Sequence, residues 1–164
     1  MKWSTAKLMP GDSNAAIHGA KQMEAVLPMG DFTPRAGNSH QPCVLIVDDE
    51  SLVRWSLAET LGARGYQVAE AHDAASALSA VLSAPRGIGV VLLDLYLPDA
   101  HDLRVLKALR QMLPETPVIL MTAYGSRELT AEARRVGAFT VLDKPFEMAD
   151  LPPIIERALA TPLD

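Results

Sequence analysis

Five short apolar runs recur along residues 42–164: CVLIV at 43–47, YQVAEA at 66–71, IGVVLL at 88–93, PVILMT at 117–122 and AFTVL at 138–142. Between them lie longer segments whose apolar residues return every three or four positions, the spacing of a helix with one buried face. Strands separated by helix-length crossovers pair in parallel, and right-handed crossovers lay helices over both faces of the sheet. The alternation therefore predicts an α/β fold, a doubly wound five-stranded parallel sheet. The first and third runs are almost wholly apolar, as strands buried on both faces must be.

The helical segments can be read residue by residue. Helix one follows Asp49, turns Val53, Leu57 and Leu61 inward, and stops at Gly62 or Gly65. Helix two starts at an Asp73 cap and buries Leu78, Val81 and Leu82 before Pro85. Helix three carries Leu103, Leu106 and Leu109 and ends before Pro114, and helix four, the least regular, covers 126–136. Helix five sets Leu151, Ile154, Ile155, Ala158 and Leu159 on one stripe, with Pro152 and Pro153 tolerated in its first turn.

Composition divides the chain near Pro42. Residues 1–41 hold Pro10, Pro28 and Pro34 among Gly11, Gly19, Gly30 and Gly37 and keep no apolar period, so they read as a flexible or disordered leader. A short helix within 15–27, capped by Ser13 or Asn14, is the alternative, and Met23 and Met29 are possible later starts. Residues 42–164 read as one domain, and 49% apolar residues suffice for its core. A net charge of −5 argues against general nucleic-acid binding, which needs a basic face. The one cysteine, Cys43, excludes an internal disulfide and reads as a buried thiol in a reducing compartment. With no run near membrane-span length and no secretory signal, the expected location is the cytoplasm, with no membrane partner.

Sheets of this class build their sites beyond the carboxyl ends of the strands. Strand one ends there in Asp48 and Asp49, strand three in Asp94, strand four in Thr122 and strand five in Lys144. Clustered carboxylates repel one another and resist losing water, so they need a compensating charge. Mg²⁺ suits such hard oxygens, and Lys144 adds a further positive charge. An aspartate beside a Lewis acid, a hydroxyl and an ammonium is equipped to attack phosphorus, which is phosphoryl-transfer chemistry. Each residue also has an ordinary alternative: Asp94 as a turn residue, Asp48 or Asp49 as a helix cap, Thr122 as a strand residue, Lys144 as a solvated lysine. Their arrival at one edge favours the site. His101 lies nearby but reads as an exposed loop histidine, since Mg²⁺ prefers oxygen.

The motifs VDDE, LLDLYLP, LMTAYG and LDKPF resemble, in type, order and spacing, those of the receiver domain of two-component response regulators. SLVRWSLAE, LPDAHDLRVLKAL and TPVILMTAYGS are most similar to receivers of the NtrC type. The resemblance implies the flavodoxin-like (CheY-like) strand order 2-1-3-4-5. It implies Asp94 as phosphoacceptor and Asp49 as a direct Mg²⁺ ligand, with Asp48 acting directly or through water. The Tyr96 carbonyl becomes a third protein ligand, Thr122 the switch hydroxyl and Lys144 the phosphate contact, with a cis bond before Pro145. A sensor histidine kinase is the implied partner, and helix four, strand five and helix five are a possible homodimer surface. No enzymatic turnover is implied beyond self-phosphorylation and self-dephosphorylation.

Three departures qualify that resemblance. Receivers usually carry Tyr or Phe where this chain has Val141; Phe139, two residues earlier, is expected on the same face by strand alternation. Asp102 replaces a common glycine and is compatible with a helix cap. Tyr96 and Tyr124 occupy positions that flank the path of the hydrolytic water in this family, where they either slow dephosphorylation or project into solvent. Two other function classes stay open: a phosphate-independent pseudo-receiver, and an aspartyl-phosphate hydrolase, which usually has an acidic residue where this chain has Tyr96. Ending after helix five, the sequence suits either a stand-alone regulator or a fragment of a longer one, with output through protein contacts.

Overall fold

A computed structural model describes residues 42–84 and 87–162, so the leader, its candidate helix and Pro85 lie outside the described residues. The elements are β1 (Cys43–Val47), α1 (Ser51–Gly62), β2 (Gln67–Ala71), α2 (Ala74–Ser83), β3 (Ile88–Asp94), α3 (Arg104–Met112), β4 (Val118–Thr122), α4 (Arg127–Val136), β5 (Thr140–Asp143) and α5 (Leu151–Ala160). All neighbouring strands pair in parallel, in the order β2-β1-β3-β4-β5. This is the doubly wound sheet and strand order expected from the sequence. Among the described residues no helix is long and apolar enough to cross a membrane.

The period-two geometry of a strand divides the core into two layers. Along β1, Val44 and Ile46 join Leu57 and Leu61 of α1 and Leu151 and Ile155 of α5. Cys43, Leu45 and Val47 point the other way, to Ala77 of α2, Leu106 and Leu109 of α3 and Ala133 of α4. Each fully buried Leu or Ile contributes about 1.5–3 kcal/mol, so the central strands anchor whatever their ends carry. Burial pushes the Cys43 thiol up, as suits an inert core residue.

Local chemistry explains the helix ends. Asp73 accepts from the Ser76 amide at 2.7 Å while the Ser76 hydroxyl accepts from the Asp73 amide at 3.2 Å, a reciprocal cap for α2. Ser126 caps α4 by accepting from the Leu129 amide at 3.0 Å. Asp102 accepts from the Arg104 amide at 2.8 Å, but it stands one residue ahead of the helix cap, which is Leu103. Gly137 ends α4 in the left-handed region at φ 112°, where an added Cβ would lie 2.9 Å from Nε of Arg110. Gly137→Ala is expected to lower stability by about 1–3 kcal/mol, measured by urea unfolding with an unchanged slope.

Three expectations are corrected. Leu82 is 79% exposed, not buried. The inner stripe of α2 runs through Ala74, Ala77, Leu78, Val81 and Ala84, and Leu82 lies about 100° round the helix from Val81. Phe139 and Val141 do not share a face: Val141 packs with the α2–α4 layer, Phe139 with the α1–α5 layer, where Arg157 of α5 sits 5.7 Å from its ring centroid. Strand β5 begins only at Thr140, so the alternation does not extend back to Phe139. Leu159, placed on the buried stripe of helix five, is 37% exposed, while Leu151, Ile155 and Ala158 form the buried face.

Candidate functional site

Because β1, β3, β4 and β5 are neighbours and parallel, their carboxyl ends open on one edge. In register, Val47 lies beside Leu93, Asp94 beside Met121 and Thr122 beside Asp143. The residues that follow these pairs must therefore converge. Asp48 is fully buried and Asp94 nearly so, whereas Asp49 faces solvent. The three carboxylates offer oxygens that all lie within 4.8 Å of one another.

Lys144 is the counter-charge. Its ammonium stands 2.7 Å from Oδ2 of Asp48, 3.3 Å from Oδ2 of Asp94 and 3.9 Å from Oε1 of Glu50, with the side chain 15% exposed. Burial pushes the Asp94 carboxyl above its ordinary range, and the Asp48 charge adds to this; Lys144 and the Tyr96 backbone N–H oppose it without cancelling it. For Lys144, burial alone would lower the pKa, but the contacts with Asp48 and Asp94 hold it above its ordinary value. The peptide bond between Lys144 and Pro145 is cis, as the resemblance implied.

The donor set fits a hard divalent cation. Two buried carboxylates and one open to water leave room for a metal that keeps part of its hydration shell, the usual condition of protein-bound Mg²⁺. Tyr96 follows Asp94 by two residues, with a half-exposed ring. His101 is exposed and stands outside the carboxylate cluster.

Thr122 is fully buried at the end of β4. Its hydroxyl accepts from the Tyr124 amide at 3.2 Å, and its carbonyl accepts from the Lys144 amide at 2.7 Å. The threonine is thus tied both to the loop that follows it and to the lysine. In that loop the Asp143 carboxylate lies against Gly125, leaving no room there for a Cβ. The Tyr96 and Tyr124 rings meet edge to face, with centroids 6.0 Å apart and planes at 89°. Tyr96 is 41% exposed and Tyr124 78%, so the rings reach solvent while packing on each other.

Other contacts had not been expected from the sequence. Nη1 of Arg54 donates to the carbonyls of Asp48 at 2.7 Å and Asp49 at 3.1 Å. Asp99, in the loop after β3, accepts from the amides of Ala74 at 2.9 Å and Ala75 at 3.2 Å, tying that loop to the start of α2. Asp99 meets residues about 25 positions away, and nothing local announces it.

Comparison with known proteins agrees with this geometry. Residues 44–156 match the response regulator receiver domain. Regulatory protein AtoC of Escherichia coli K12 is 40% identical over 116 residues, covering 71% of this chain and 25% of AtoC. The DNA-binding transcriptional regulator NtrC of the same strain is 34% identical over 117 residues, covering 71% of this chain and 24% of NtrC. The chain therefore spans about a quarter of the length of these relatives. A CheY-like receiver domain protein from Methanospirillum hungatei JF-1 has a TM-score of 0.68 at 28% identity, over 73% of this chain and 94% of that one.

Proposed function

This chain belongs to the response regulator receiver family, with its similarity to the NtrC type, and on that footing we propose that it takes a phosphoryl group from a sensor histidine kinase onto Asp94. The observation that carries the proposal is the convergence of Asp48, Asp49 and Asp94 around the Lys144 ammonium. An oxygen of ionised Asp94 attacks phosphorus, the bond from phosphorus to the donor histidine nitrogen breaks, and that nitrogen keeps the electron pair. Asp49, Asp94, Asp48 and the Tyr96 carbonyl are the groups that would hold Mg²⁺, which would supply positive charge for the transferred oxygens. Lys144, whose ammonium stands 3.3 Å from Oδ2 of Asp94 and 2.7 Å from Oδ2 of Asp48, would contact a phosphoryl oxygen on Asp94.

The signal then leaves through Thr122. Its hydroxyl would donate to a phosphoryl oxygen and draw the Tyr124 amide with it, because that amide already donates to the hydroxyl oxygen. Gly125 follows and shifts against Asp143, next to Lys144. This is a bias on two packings of the loop between β4 and α4 rather than a swing of an aromatic ring, since Val141 offers none. Its surface of α4, β5 and α5 is proposed as the output face and a possible homodimer contact. The domain, residues 42–164, acts in the cytoplasm as a signalling module and binds no nucleic acid itself.

Val141 is also the observation that favours a second reading, a phosphate-independent interaction module. Mass and oligomeric state of wild type and Asp94→Ala, with and without acetyl phosphate or beryllofluoride plus Mg²⁺, separate the two. A wild type that neither gains mass nor changes state leaves the second reading standing. For the tyrosines we expect a shield: Tyr96→Asn with Tyr124→Glu should shorten the acyl-phosphate half-life by about ten-fold, a barrier lower by ~1.4 kcal/mol. An unchanged half-life would remove the shield.

A further inference from the structure

The turn that carries Asp48 and Asp49 has an unusual backbone problem. The pairing of β1 ends at Val47, and α1 begins only at Ser51, so the carbonyls of Asp48 and Asp49 lie beyond the sheet ladder and ahead of the helix. Carbonyls left there need a donor from elsewhere. Two neighbouring carboxylates meanwhile push each other apart.

We infer that Arg54 is the positioning residue of this metal-binding turn, an inference that rests on the phosphoacceptor reading above. Side chains in a helix lean toward its N-terminus, so an arginine in the first turn of α1 reaches back over the residues that precede the helix. Its Nη1 donates to both carbonyls, at 2.7 Å to Asp48 and 3.1 Å to Asp49. On its other side Nε lies 3.8 Å from Oε2 of Glu70 on β2, and the side chain is only 17% exposed. The Asp48 amide donates to Ala71 at 3.1 Å, and the Asp48 carboxylate accepts from the Glu50 amide at 3.0 Å. With the guanidinium on the carbonyls, the turn is held from both sides. Both peptide planes are fixed, and with them the directions in which the two carboxylates leave the chain.

Arg54 touches neither the phosphoryl group nor the metal in this scheme; it acts through the turn. The consequence is an effect on Mg²⁺ affinity that exceeds any effect on chemistry. Arg54→Met and Arg54→Gln, which keep much of the aliphatic stem, are each expected to weaken Mg²⁺ binding by about ten-fold, as loss of outer contacts to metal ligands commonly does. Arg54→Lys, which keeps the charge and one donor, should recover part of that loss. Binding is read on the full chain by calorimetry and by the amide shifts of Asp49 and Glu50 during Mg²⁺ titration. Phosphorylation by acetyl phosphate is read in parallel: its half-saturating Mg²⁺ concentration should rise in the Met and Gln variants, while its maximal rate stays within about two-fold of wild type. Wild-type Mg²⁺ affinity in either folded variant overturns the inference, even if that variant melts at a lower temperature. A wild type that does not bind Mg²⁺ overturns the phosphoacceptor reading itself.

Discussion

Asp94→Asn is expected to reduce uptake of a phosphoryl group from acetyl phosphate by at least about a thousand-fold, because a neutral amide oxygen does not displace a leaving group at phosphorus. The replacement keeps shape and volume, so the loss reports the nucleophile and not a collapsed site. It carries a second expected result of opposite sign. Burial pushes the Asp94 carboxyl above its ordinary range, with the Asp48 charge adding to the effect against the opposing pull of Lys144. A carboxyl whose folded pKa is raised binds a proton more readily in the native state, so its ionisation works against folding as pH rises above the unfolded value. The amide cannot ionise. In metal-free buffer Asp94→Asn should therefore melt at a higher temperature than wild type at neutral pH, and the difference should shrink as pH falls through the raised native pKa toward the unfolded value. Intact-mass spectrometry checks the first result and calorimetric melts across pH the second. A folded variant that still gains a phosphoryl group would move the acceptor to another residue.

Much of this architecture was legible in the sequence because two periodicities carried it. The alternation of short apolar runs with helical stripes is a consequence of burying both faces of a parallel sheet, and strands β1 and β3 could hardly be written otherwise. Asp48, Asp49, Asp94, Thr122 and Lys144 were legible for a related reason: each stands at or just beyond the end of an apolar run, where parallel topology brings strand ends together. What escaped the sequence depends on geometry that neither period encodes. Leu82 looked buried because it is apolar and four residues after Leu78, yet the inner stripe of α2 passes through Val81 and Ala84. Phe139 looked like a strand residue because the apolar run includes it, yet β5 opens one residue later and the ring turns to Arg157. Arg54 and Asp99 act through hydrogen bonds to backbone atoms, and a backbone acceptor has no letter in the sequence.

Lys144→Met should be the most destabilising of the changes considered, by about 3–5 kcal/mol at neutral pH, because it strips the counter-charge from buried carboxylates rather than replacing a whole ion pair. Asp48 is fully buried and stands 2.7 Å from the ammonium; Asp94 is 3.3 Å from it. The methionine fills the space of the lysine stem, so the expected loss is electrostatic. Its pH dependence follows from the signs. Without the lysine, the pull that restrains the Asp94 pKa is gone while burial and the Asp48 charge remain, so the native carboxyl protonates more readily still. A proton then supplies part of the missing neutralisation, and the gap between variant and wild type should narrow on acidification. At the alkaline end the order also closes: Lys144 has a native pKa above its ordinary 10.5, so its contribution is complete below that value and is lost as pH rises through the native pKa. Mg²⁺ should restore the variant partly, since it brings positive charge to the same oxygens, and should do so more than it stabilises wild type. Urea unfolding at acidic, neutral and alkaline pH, with and without Mg²⁺, measures all of these. A loss that is the same at every pH and insensitive to Mg²⁺ would mean that Lys144 serves packing, and that the acidic cluster is neutralised by some other group.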